Sequence, residues 1–184
     1  DTVMQLETPG LSDPAAVTAG RDAVEALEAL LSRTDGESEI SRLNGADGRE
    51  TPLSYPTAAL LAAARDYSLA TDGAFDPTVA PVMDAWGFTT ASPRVPDAGT
   101  LSALLPLVDS AALTVTVPAP GEDGSAQLAP GQAVDLGGIA KGYASDWVEA
   151  ALRRNGAERA MVYLGGRASS LQEGEQKAAQ ALSD

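Results

Sequence analysis

Residues 133–147, AVDLGGIAKGYASDW, run from an apolar stretch through two glycines directly into a helical pattern. QAVDL (132–136) reads as a short strand and IAKGYASDWVEAALRRNG (139–156) as a helix. Ala140, Tyr143, Ala144, Trp147, Val148, Ala151 and Leu152 form one stripe of that helix, and Gly156 sits where a C-terminal cap belongs. Lys141 then falls in the first turn, where the helix macrodipole disfavours a cation and favours an anion. An anion or a polar ring edge in front of the exposed N–H groups would make that lysine favourable, with Asp135 and the flexible Gly137–Gly138 backbone beside it. The plainer alternative is a tight strand-to-helix turn with a solvated lysine. The stretch is not a Walker A loop, because Lys141 precedes Gly142 rather than following a glycine and preceding Ser or Thr. Nor is it a GxGxxG dinucleotide turn.

Working outward, DTVMQLET (1–8) alternates like a strand, with Val3, Met4 and Leu6 as its apolar members. LSDPAAVTAGRDAVEALEALLSR (11–33) repeats Val17, Val24, Leu27, Leu30 and Leu31 at helical spacing. In TDGESEISRLN (34–44), Thr34 and Glu37 are spaced as a capping box before a short helical turn. ADGRETPLSYP (46–56) reads as loop and TAALLAAARDYSLAT (57–71) as an amphipathic helix ended by Asp72–Gly73. GAFDPTVAPVMDAWGF (73–88) looks irregular, because Pro77 and Pro81 limit helix and strand alike. A linker, 89–96, leads to a short helix over 97–109. A strand over 111–118 and a hairpin-like connection over 119–131 follow. ERAMVYLGG (158–166) is a strand ending in two glycines, and the polar 167–184 reads as a weak surface helix or a disordered end. Few helices link neighbouring strands, so the order predicts α+β: a mixed or antiparallel sheet with packed helices.

Composition narrows the chemistry. A formal net charge of −14 over 184 residues argues against nucleic acid as a partner, since a binder needs a basic face. An acidic protein that handles an anion needs a local cation or a metal. With no cysteine there is no thiolate catalysis, and with no histidine there is no Ser-His-Asp triad. Any metal would be a hard, oxygen-liganded one such as Mg²⁺.

GAFDPT places Asp76 after Phe75 and before a stiffening proline. Its carboxylate either recognises a ring edge or caps the turn at Pro77 and Thr78. Ser38, Ser41 and Asn44 of SEISRLN either meet a ligand or satisfy loop backbone. Trp86 and Phe88 read as core packing, as do Tyr143 and Trp147.

Taken in order, SEISRLN, DGAFDPTVAPVMDAWGF, VDLGGIAKGYASDWV and VYLGG resemble the ApbE family of flavin transferases. The likeness covers residues 1 to about 166, which leaves 167–184 as a divergent polar tail. It implies an ApbE-like, T-fold-like architecture and FAD as substrate. Members use Mg²⁺ to move the FMN half of FAD onto a Thr or Ser hydroxyl of an acceptor flavoprotein, releasing AMP. By motif, Ala74, Phe75 and Asp76 would line the flavin and adenine side, and Asp135 would hydrogen-bond the ligand. Lys141 would contact FAD near the reacting pyrophosphate as the catalytic cation, and the Gly138 carbonyl would be a metal ligand. Arg33 stands where many members carry an aromatic residue that covers the flavin; its guanidinium could stack on the ring or grip a phosphate.

Members of the family also continue past the pair matching Gly165 and Gly166, into a His-containing loop and an Asp…Thr segment that complete the Mg²⁺ site. Neither is present here, so the expectation is an N-terminal portion with an incomplete sheet and roughly half of the metal site. The alternatives are a non-catalytic FAD-binding remnant, an FAD pyrophosphatase-like protein and a purely structural fragment. Relatives are often exported or membrane-anchored, but no such signal is visible in these residues.

Overall fold

The structure is a computed structural model that describes residues 3–10, 14–165 and 167–171. Its strands are β1 (Met4–Glu7), β2 (Thr51–Ser54), β3 (Thr114–Thr116), β4 (Asp123–Gln127), β5 (Ala160–Leu164) and β6 (Arg167–Leu171). Its helices are α1 (Pro14–Leu31), α2 (Glu39–Asn44), α3 (Tyr55–Ala70), α4 (Ala80–Trp86), α5 (Ala98–Leu104) and α6 (Ala140–Arg154). The chain divides into two compact units, one of Asp1–Ala29 with Ile139–Asp184 and one of Leu30–Gly138. All described strand pairs are antiparallel, in two three-stranded sheets with helices packed on them, as α+β predicts.

The first unit is built on the order β1-β5-β6, with Leu6 opposite Val162 and Val162 opposite Ser169. Ala160, Val162 and Leu164 of β5 are buried while Met161 between them is exposed, the two-residue alternation of a sheet with one covered face. Ala16, Val148 and Leu152 supply the helical side of this core, with Val24 and Ala144 partly buried against it. Gly20 permits the close approach of α1: a Cβ there would lie 2.9 Å from Leu6 Cδ1. Two apolar residues of the sequence pattern face outward instead, Val3 at 82% exposure and Val17 at 36%. Ala16 and Gly20 take the covered face of α1 because small side chains let the helix come close.

The second unit carries the order β2-β4-β3, with α3 packed against all three strands. Its buried side chains include Ile40, Leu53, Leu60, Leu61, Leu113 and Val134. Several local expectations change here. Residues 51–54 are strand rather than loop, and Pro52 is tolerated because β2 is an edge strand. The cap of α2 is Ser38, whose side chain accepts from Ser41 N–H, and not Thr34. The irregular-looking 73–88 contains a 3₁₀ turn, Pro77–Val79, and then α4, because both prolines fall in first turns where no N–H is missed. Trp86 and Phe88 stack with ring centroids 5.6 Å apart, yet Phe88 is 61% exposed, so the pair is not core. In the other unit, Tyr143 and Trp147 are half-buried.

Residues 132–136 form no strand. Their backbone partners are a side chain and a turn. Val134 N–H donates to Asn44 Oδ1 at 2.8 Å, Asn44 Nδ2 donates to Val134 O at 2.9 Å, and Asp135 N–H donates to Pro77 O at 2.7 Å. At the end of the chain, residues 167–171 are the strand β6, not a surface helix or disordered tail, because β5 offers them a complete ladder. Gly166 and residues 172–184, with the rest of the tail reading, lie outside the described residues. No described helix is long and apolar enough to cross a membrane.

Candidate functional site

Arg33 follows α1 and extends its guanidinium between two acidic side chains. Nη2 pairs with Asp84 of α4, and Nη1 lies 3.4 Å from Asp135 Oδ2. Arg33 and Asp135 are largely enclosed, at 16% and 13% side-chain exposure, while Asp84 is open to solvent at 56%. Asp135 also accepts from Gly137 N–H through Oδ1 at 2.8 Å, which fixes the turn before the two glycines. Nη1 of Arg33 is buried and makes no hydrogen bond among the described residues. A guanidinium N–H enclosed without an acceptor is costly, so this corner is one acceptor short.

Phe75 and Gly138 meet as well. A Cβ on Gly138 would come within 3.0 Å of Phe75 Cε2, so the absence of a side chain lets the turn lie close against the ring. Ala74 is exposed and Phe75 half-buried, their N–H groups donating to Thr71 O at 3.1 Å and Thr71 Oγ1 at 3.2 Å.

Asp76 is turned to the loop itself. Oδ1 accepts from Thr78 N–H at 2.8 Å and from the Thr78 hydroxyl at 2.6 Å. Oδ2 accepts from the Ser68 hydroxyl at 3.1 Å and from Ser110 N–H at 3.2 Å. Partial burial pushes its carboxyl up, but the bonds from Thr78, Ser110 and Ser68 outweigh that and hold it below the ordinary carboxylate range. Ser110 in turn donates to Ser68 at 2.6 Å, so α3, the 3₁₀ turn and residues 109–111 close on one carboxylate. Ser38 and Ser41 both donate to Ser32 O, and Asn44 holds Val134; these three satisfy loop backbone.

Lys141 belongs to the other compact unit, exposed in the first turn of α6, where its carbonyl accepts from the Ser145 hydroxyl at 2.9 Å. Three site residues escaped the sequence reading: Asp84, Ser68 and Ser110. Asp84 and Arg33 are 51 positions apart, and no local spacing marks the pair.

Among the described residues no three acidic side chains gather, and Asp84 and Asp135 converge on a guanidinium that occupies the place of a cation.

These features define an α+β protein whose polar site is drawn from well-separated loops around one aromatic ring and an arginine. The sequence model of the ApbE family matches residues 1–179, and the chain belongs to that family. It is 31% identical over 158 residues to an FAD:protein FMN transferase of Klebsiella pneumoniae, covering 82% of this chain and 47% of that protein. It is equally 31% identical over 169 residues to one from Vibrio cholerae, covering 89% and 49%. Among solved structures, the ApbE protein of Thermotoga maritima superposes with a TM-score of 0.82 at 24% identity, covering 92% of this chain and 55% of that one. The flavin transferase ApbE of Vibrio cholerae gives 0.75 at 27% identity, covering 91% and 58%. The chain thus spans about half the length of these curated relatives.

Proposed function

We propose that this chain carries the FAD-binding portion of an FAD:protein FMN transferase. In the reaction, the hydroxyl oxygen of an acceptor Thr or Ser attacks the FMN-side phosphorus of FAD. A new P–O bond forms, the bond from that phosphorus to the bridging oxygen breaks, and AMP leaves with that oxygen while the hydroxyl gives up its proton. The work is positioning and charge neutralisation, which needs neither histidine nor cysteine from these residues.

The observation that carries the reading is the enclosed Arg33–Asp135 pair, one acceptor short, in the same compact unit as the Phe75–Gly138 contact. A flavin nucleotide offers what such a site lacks: a flat ring for Phe75, and carbonyl and phosphate oxygens for a guanidinium. Ala74 and Phe75 would line the ring, and Asp135 would accept from a ligand N–H or hydroxyl. Asp76, with four internal donors, would act by holding the loop that presents them. Lys141 would neutralise the pyrophosphate. The names of the relatives support FAD and an acceptor protein as the partners.

Mg²⁺ enters by resemblance alone, with the Gly138 carbonyl as the ligand this chain would give. Bound, it would neutralise pyrophosphate charge.

Titrating the 184-residue chain with FAD, with and without Mg²⁺, tests the reading through flavin fluorescence. Saturable binding is expected, and an acceptor-labelling assay on a protein containing this chain would follow. A chain that leaves FAD fluorescence unchanged at high micromolar concentration overturns it.

A further inference from the structure

We infer that Asp84 is a positioning residue that aims Arg33 at the ligand and thereby sets how tightly the site holds a flavin nucleotide. The inference rests on the flavin reading above and adds a residue that reading does not contain. Arg33 has two terminal nitrogens and two acidic neighbours. Asp84 takes Nη2 in the close contact, and Asp135 stands 3.4 Å from Nη1 without a hydrogen bond forming. A guanidinium is planar and rigid, so fixing one nitrogen fixes the direction of the other. With Nη2 held, Nη1 keeps an N–H that no described group accepts, inside an enclosed corner. That donor is matched by an acceptor oxygen on the ligand, from the flavin ring or from phosphate.

Without Asp84, Asp135 is the remaining acidic partner. The guanidinium can then swing to pair fully with it, which withdraws the donor from the ligand and also consumes the Asp135 carboxylate. The two losses act in the same direction. Simple charge repulsion acts in the opposite one: Arg33, Asp84 and Asp135 together carry one net negative charge, so deleting Asp84 would draw an anionic ligand closer. The sign of the effect therefore separates aiming from repulsion.

The experiment measures dissociation constants of FAD and riboflavin for wild type, Asp84→Ala, Asp84→Asn and Arg33→Lys. Flavin absorbance spectra of the bound states and melting temperatures are recorded alongside. Asp84 is exposed on α4, so its variants should stay folded with melting close to wild type. Asp84→Ala should weaken FAD about tenfold, Asp84→Asn less because its amide oxygen still accepts from Nη2, and Arg33→Lys at least as much as Asp84→Ala. The bound-flavin spectrum should shift in parallel, which a merely structural residue would not cause. Equal weakening of riboflavin assigns the Nη1 acceptor to the ring, and weakening confined to FAD assigns it to phosphate; both support the inference. Unchanged or tighter FAD binding by Asp84→Ala overturns it and leaves the flavin reading standing. A wild-type chain that binds neither flavin overturns the reading and the inference with it.

Discussion

Asn44 and Val134, 90 residues apart, exchange two hydrogen bonds, the Asn44 amide donating to the Val134 carbonyl and accepting from its N–H. The side chain does the work of a neighbouring strand. It satisfies the Val134 backbone without a sheet, and it anchors the residue before Asp135, which meets Arg33. Asn44→Ala would strand both backbone groups of a fully buried residue. The expected cost is about 2–3 kcal/mol in urea unfolding. Asn44→Asp should also destabilise, because a carboxylate accepts from Val134 N–H but has no proton for its carbonyl.

Asp76 should leave a mark on the acid limb of stability. Its carboxyl lies below the ordinary range when folded, so its contribution is complete above the unfolded value of about 4 and fades as pH falls through the folded one. Asp76→Asn keeps an acceptor for some of the four donors but cannot ionise. At pH 7 it should be less stable than wild type, and the gap should shrink as pH is lowered from 5 to 2. Chemical denaturation across that range measures it, and a gap independent of pH would refute the assignment.

The contact between Gly138 and Phe75 predicts a coupled pair. Gly138→Ala places a methyl against the ring, and the ring must yield by a few tenths of an ångström. A loss of about 1 kcal/mol is expected. In a Phe75→Ala background the same substitution should cost almost nothing, which a double-mutant cycle in urea reads directly.

Lys141→Ala separates helix from ligand. Removing an exposed cation from the first turn of α6 should leave helicity intact and melting unchanged or slightly raised. FAD affinity should nonetheless fall about tenfold with the loss of one charge-assisted contact. Circular dichroism and an FAD titration on one sample suffice, and wild-type affinity in the variant would remove Lys141 from the site.

Much of the architecture is written in local pattern. The helices over 14–31, 55–70 and 140–154 follow from apolar residues recurring every three or four positions, and the strand over 160–164 from a short apolar run closed by a glycine pair. The order of motifs from SEISRLN to VYLGG was enough to indicate the family, since together they place glycines, prolines and charges at fixed offsets. These are properties of neighbours along the chain. What the tertiary structure decided are the partnerships between distant residues. Residues 51–54 are a strand because β4 lies beside them, and 132–136 are not one because Asn44 does. Asp76 meets Ser110 across 34 positions, and Arg33 meets Asp84 across 51. A hydrogen bond or ion pair depends on distance in space, and separation along the chain carries no information about that until the fold closes.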